Sequence, residues 1–161
     1  MFAKRNRHYN ITINAQLVLI KQCAGSETFL LAESIAIGMI YHILERSEVA
    51  PARERGEYRA ASLATEGFMH CSQLQQVLPV ANAFYAGRSG LALLEIDAAR
   101  LHAALRYEAP VHPHSSDSAP ADHELFQHLY GALNFDAVVR VLDLPAGADG
   151  KFTLPVELRS A

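Results

Sequence analysis

The stretch from Ser62 to Ser72, Ser-Leu-Ala-Thr-Glu-Gly-Phe-Met-His-Cys-Ser, limits the folds open to this chain more than any other. Glu66-Gly67 is a turn signal, and the apolar run Phe68 to Cys71 behind it is of strand type. Side chains alternate across a strand, so Phe68, His70 and Ser72 share one face and Met69 and Cys71 the other. An aromatic ring beside two polar groups suits the floor of a cleft. Ser72 with Gln75 has capping-box spacing, which predicts a helix with Ser72 as its N-cap. Leu74, Val77, Leu78, Ala81 and Phe84 then recur at helical intervals as one buried stripe. Pro79 should kink or restart this helix, since an interior proline costs about 3 kcal/mol. Turn, strand and helix are therefore expected in immediate succession.

The flanking segments add mainly strands. Met39 to Leu44 has a clean strand pattern, and Ser47 can cap a short helix through Arg55, with Pro51 awkward inside it and Gly56 closing it. Glu57 to Arg59 reads as extended. Gly87-Arg88-Ser89-Gly90 is a turn before Leu91 to Asp97, a strand buried on most of both faces. Ala137 to Leu142 is a second apolar strand whose only charge is Arg140, and Lys151 to Leu154 is a last extended piece. Many strands with one main helix indicate an α+β fold. Arg106 to Glu124 carries Pro110, Pro113 and Pro120 without periodicity, and reads as a loop that is either functional or disordered.

The 161 residues suffice for one domain with a sizeable core. Residues 1–38 differ from the rest: Met39 reads as the natural start, and the preceding segment as an upstream-start artefact or a poorly packed extension. The domain then spans 39–156, with 157–161 a tail. The net charge of −3 gives no basic excess to draw in a nucleic-acid backbone. Two cysteines, Cys23 and Cys71, make neither a disulfide framework nor a metal knuckle, which leaves a reducing cytoplasm as the expected setting. No run reaches the roughly 18 to 20 apolar residues of a membrane span.

Several polar groups interrupt this apolar pattern. His42 lies mid-strand between Ile40 and Leu44, where a satisfied core histidine is the plainer reading. His70 has Ser72 beside it and a turn before it. His128 and Tyr130 read as polar aromatic residues on a loop fixed to a buried strand, good candidates for binding. Arg88 between glycines can meet a phosphate, although Gly-Arg-Ser-Gly lacks P-loop spacing and a solvated turn is the simpler reading. His112 and His114 form a His-x-His pair, and His123 follows, but no third ligand sits at a fixed offset, so no metal is expected. There is no Gly-x-Ser-x-Gly nucleophile elbow, and strand parity points Cys71 away from His70.

Taken together, the segments carry a resemblance. Ile-Tyr-His-Ile at 40–43, the Ser62 to Ser72 stretch, Leu-Leu-Glu-Ile-Asp at 93–97, His-Leu-Tyr-Gly-Ala-Leu-Asn at 128–134 and Ala-Val-Val-Arg-Val-Leu at 137–142 resemble the domain of unknown function (DUF) family 952. Pro51 and Ala132 depart from the family pattern. The family in turn is similar to the ADP-ribosyltransferase superfamily, which implies two small, split antiparallel sheets with a nicotinamide-nucleotide cleft between them. In that resemblance His42 corresponds to a histidine that holds the adenosine ribose, and Phe68 to Ser72 to a motif on the nicotinamide side. His128 to Asn134 falls where a last catalytic motif lies, yet it contains no glutamate of the kind that orients the attacking group. The expectation is a domain that binds NAD or a related nucleotide and transfers ADP-ribose. His70, His128 and Tyr130 are its catalytic candidates, and Tyr41, His42, Ser72 and Arg88 its cofactor-binding ones. The alternative is a non-catalytic module for a small anionic metabolite, held at the Ser72 helix N-terminus.

Overall fold

The computed structural model describes residues 38–109 and 125–159. The expectations for residues 1–37, for His112, His114 and His123, and for Glu124 lie outside these. Among the described residues, β1 (Met39–Glu45) and β4 (Leu91–Asp97) form where their short apolar runs predict strands. They pair antiparallel with Tyr41 opposite Glu95, and β8 (Val138–Leu144) flanks β4 on its other side. Phe135–Ala137 winds into a 3-10 turn, so β8 starts one residue later than expected and runs on through Leu144.

This sheet separates two cores, because alternate side chains of its strands leave in opposite directions. Ile40, Leu44, Ala92, Leu94 and Ile96 face α1 (Arg46–Arg55), which buries Val49 and Ala52 against them. Tyr41, Ile43, Leu91, Leu93 and Leu142 face α3 (Leu74–Phe84), which contributes Val77 and Ala81. Gly56 ends α1 with φ 74°, and its amide donates to the Arg53 carbonyl at 3.2 Å, the left-handed closure expected of glycine. The start of α1 is Arg46, with Glu45 rather than Ser47 as N-cap. Both helices run through their prolines, Pro51 and Pro79, without a break. Each proline sits just past the first turn, so the expected kink at Pro79 reduces to one missing backbone hydrogen bond.

A second three-stranded sheet has the order β3 (Met69–Cys71), β6 (Phe126–Tyr130), β5 (Ala104–Glu108). This corrects two expectations. Arg106 to Glu108 lies in a strand rather than a loop, and His128 and Tyr130 lie within β6 rather than on a loop. The short β2 (Glu57–Tyr58) and β7 (Leu133–Asn134) pair apart, and a five-residue α2 (Ala61–Thr65) precedes the central turn. Among the described residues, three antiparallel sheets and three α-helices thus stand in place of two sheets and one main helix, within the same α+β class.

A backbone bridge joins the two larger sheets. Tyr41 and Ser72 exchange both backbone hydrogen bonds, each at 2.8 Å. This pairing overturns the expected cap. With Ser72 drawn into the sheet, α3 begins one residue later, and Gln73 with Gln76 forms the capping box. The Gln73 amide donates to Gln76 Oε1 at 2.9 Å.

Candidate functional site

Across the second sheet His70 stands opposite His128, and His128 opposite Arg106. Opposed residues in antiparallel strands share a face, so these three form one lateral row. Tyr130 follows on the same face of β6. Phe68 leaves the turn before β3 and lies among them: its ring stacks on His128 at 4.1 Å, meets His70 edge-on at 5.0 Å and Tyr130 at 5.5 Å. The rings of His70 and His128 are 5.4 Å apart.

Two carboxylates complete the patch. Glu66 Oε2 lies 2.9 Å from His70 Nε2, one helical-turn spacing upstream in sequence. Glu108 Oε2 accepts the Tyr130 hydroxyl at 2.8 Å and lies 2.9 Å from His128 Nδ1. The Arg106 guanidinium sits over the Tyr130 ring at 4.3 Å, with its buried Nε unpaired. Burial raises the Glu108 carboxyl, but the hydrogen bonds from His128 and Tyr130 outweigh it and leave it below the usual range. Burial lowers His128, against the opposing pull of Glu108. The Glu108 bond, chiefly, raises the Tyr130 phenol.

Exposure separates the roles. The His128 side chain is 1% exposed, whereas those of His70, Glu66 and Glu108 are 38%, 29% and 32% exposed. His128 therefore orients Glu108 from within the protein, and the groups that can meet a ligand are His70, Glu66, Glu108, Tyr130 and the half-buried Arg106.

The remaining sequence candidates lie elsewhere. His42 projects to the other side of its strand and is buried beside Tyr58, with ring centroids 5.4 Å apart. Its Nδ1 is 2.7 Å from the His70 carbonyl oxygen, which can only accept, so Nδ1 carries the proton. Nε2 is buried without a partner, and burial pushes the ring down to about 4. His42 thus holds the backbone of His70 from behind. Tyr41 donates to Glu95 at 3.1 Å, and Arg140 also holds that carboxylate. Desolvation and the Glu95 charge push the Tyr41 phenol up to about 12. Arg88 pairs with Glu45 and lies over Tyr85, on an exposed turn. Ser72 joins Tyr41 through its backbone. Of the seven sequence candidates, His70, His128 and Tyr130 converge.

The sequence reading missed Glu66, Arg106 and Glu108 as site residues. Two signals were available: Glu66 lies four residues before His70, and Arg106 and Glu108 alternate with Leu105 and Tyr107. Cys71 faces the core and burial pushes its thiol up to about 12, which removes it as a nucleophile. Among the described residues no group of three or more His, Cys, Asp or Glu is placed to hold a metal ion. None of their helices is long and apolar enough to cross a membrane. An open hollow of about 820 Å³, lined by none of the ring-patch residues, lies between the end of α1 and Ala132–Asp136. The ring patch is the candidate site because the titratable groups converge there.

The Caulobacter crescentus protein CC0527 gives the structural comparison. Its crystal structure is 33% identical to this chain, with a TM-score of 0.59, and the match covers 72% of this chain and 94% of that one. A double mutant of the same protein matches at 32% identity and a TM-score of 0.59, with the same coverage. Its solution structure matches at 28% identity and a TM-score of 0.54, covering 76% and 98%. No curated protein matches the chain. The family model described as "Protein of unknown function (DUF952)" matches residues 43–141, which takes in β1 from Ile43, the ring patch and β8 as far as Val141, and the chain belongs to that family.

Proposed function

We propose that this chain binds NAD or a related nucleotide across the Phe68, His70 and Tyr130 patch and transfers its ADP-ribose to an acceptor. The observation that carries the reading is Glu108. A transferase of this type needs a carboxylate at the reacting centre, and residues 128–134 contain none. Glu108 enters from the neighbouring strand, fixed by His128 and Tyr130 and still partly open to solvent. An ionised carboxylate suits an oxocarbenium-like state, in which the bond between ribose and nicotinamide breaks and its electron pair leaves on the nicotinamide nitrogen. The ribose carbon then bonds to the acceptor oxygen, whose proton passes to Glu108 or to His70. The Tyr130 ring, backed by the buried Phe68, can meet a planar base, and Arg106 offers charge to a phosphate.

The resemblance of the sequence motifs to the ADP-ribosyltransferase superfamily supports the same reading, although His42 enters it through the His70 backbone rather than through a ribose. Arg106 favours a second reading, a non-catalytic module for a small anionic metabolite. Ser72 no longer supports that alternative, because it does not cap α3.

Calorimetric titration of the full chain with NAD, with nicotinamide release measured in the same sample, tests both. The expected result is binding with release. Glu108→Gln should then bind within a few-fold of wild type and lose release by about 100-fold or more, the scale set by removing one electrostatic group from a reacting centre. Binding without release would leave the module reading. Absence of binding at millimolar NAD would overturn the nucleotide reading.

A further inference from the structure

The hollow beside α1 carries a charge pattern of its own. Arg53, Arg55, His102, Phe135 and Asp136 line its walls, with Asn134 in its floor. Its volume, about 820 Å³, would admit a molecule of nucleotide size. The floor is tied down. The Asn134 Oδ1 accepts the His102 amide at 2.9 Å, its Nδ2 donates to the Arg100 carbonyl at 2.9 Å, and the Phe135 amide donates to the Gly56 carbonyl at 2.8 Å.

The acidic groups here are already engaged. Glu57 accepts from Arg59 at 2.8 and 3.4 Å, and that bond chiefly holds its carboxyl below the usual range, with a smaller pull from the Arg55 charge. Asp136 accepts from Asn134 at 2.6 Å, which lowers it first, and the His102 and Arg100 charges lower it further. Among the described residues neither Arg53 nor Arg55 has a carboxylate within ion-pair distance, and Arg53 lies over the Phe135 ring at 5.5 Å. Arginines in the last turn of a helix do favour its dipole. That role needs only the helix end, whereas here both residues also line a hollow whose carboxylates hydrogen-bond to other partners, Glu57 to Arg59 and Asp136 to Asn134.

We propose that this hollow is a ligand site, separate from the ring patch, for a compact and multiply charged phosphate-type anion held by Arg53 and Arg55. A planar guanidinium fork suits two phosphate oxygens at once. The anion can be free or can be the phosphate end of a nucleotide, and the two sources share this chemistry. The site does not depend on the NAD reading of the ring patch.

The test follows backbone amide resonances of the full chain while sodium pyrophosphate is added, with a sodium chloride titration of equal ionic strength as control. The expected result is saturable shifts at Arg53 to Glu57, His102 and Ala103, absent with chloride. Arg53→Gln with Arg55→Gln should weaken the effect about tenfold or more, leaving the resonances of β3 and β6 in place. Repeating the titration with ATP and then with adenosine separates the sources. Tighter binding of ATP than of pyrophosphate assigns a nucleotide, and equal binding assigns the anion alone. Shifts that match chloride, or that survive in the double variant, would overturn the proposal. NAD-induced shifts at 66–70, 106–108 and 128–130 report on the ring patch instead, so failure at one place is distinguishable from failure at the other.

Discussion

His42 should make the fold lose stability in mild acid. Its ring is buried, its Nδ1–H is committed to the His70 carbonyl and its Nε2 faces no partner, so a second proton has nowhere favourable to sit. Burial accordingly lowers it from 6.5 to about 4. A folded value depressed in this way makes the stabilisation complete above the unfolded value, and lost progressively as pH falls from there towards about 4. Each unit corresponds to about 1.4 kcal/mol, so acidification from about pH 7.5 to about pH 5 should remove about 2 kcal/mol through this one residue. Urea denaturation followed by circular dichroism at the two pH values measures it. His42→Asn keeps an N–H donor near the His70 carbonyl and carries no titratable group. The variant should be less stable at neutral pH because of the space it opens, yet should lose about 2 kcal/mol less on acidification than wild type. The slope that remains belongs to His128 and to the lowered carboxylates, Glu95 and Glu108 among them. Parallel pH profiles for wild type and His42→Asn would refute the reasoning.

Other parts of the fold offer independent checks. Cys71 should resist thiol reagents in the native protein and react only under denaturant, because burial pushes its thiol up to about 12 and hides it in the core; prompt native labelling would contradict the placement. Glu95→Gln should cost about 1–3 kcal/mol by weakening the bonds from Arg140 and Tyr41, as read by thermal unfolding, and should leave the proposed nucleotide binding at the ring patch unchanged. Gly56→Ala should destabilise by about 1 kcal/mol, since φ is 74° and no neighbour lies within 4 Å of the added carbon, so the cost is backbone strain alone. A neutral result in chemical denaturation would show that the α1 terminus can relax.

What could be read along the chain was whatever depends on neighbours in sequence. β1 and β4 were legible because a continuous apolar run of strand length has few other uses, and the alternation in Phe68 to Cys71 correctly divided His70 from Met69 and Cys71. Gly56 was legible as a terminator because only the left-handed region closes the helix there. β5 escaped notice, since Ala-Leu-Arg-Tyr-Glu has one buried apolar residue and leads into a proline-rich segment. Its strand identity comes from hydrogen bonding to β6, which no local pattern announces.

The same distinction governs the site. The chain on its own determined which residue types were available, on which face of β3 His70 lies, and the family resemblance. Tertiary structure decided the rest. Pairing of β5 with β6 brought Glu108 to His128 across 20 residues of sequence, and the Tyr41–Ser72 bridge moved the start of α3 from Ser72 to Gln73. The register of β1 against β4 set Tyr41 opposite Glu95, while the core reading of His42 between Ile40 and Leu44 was already legible in the sequence. Local propensity acts over a few residues and is worth tenths of a kcal/mol at each, whereas strand register is set by burial summed over a whole face, so register decides which side chains meet.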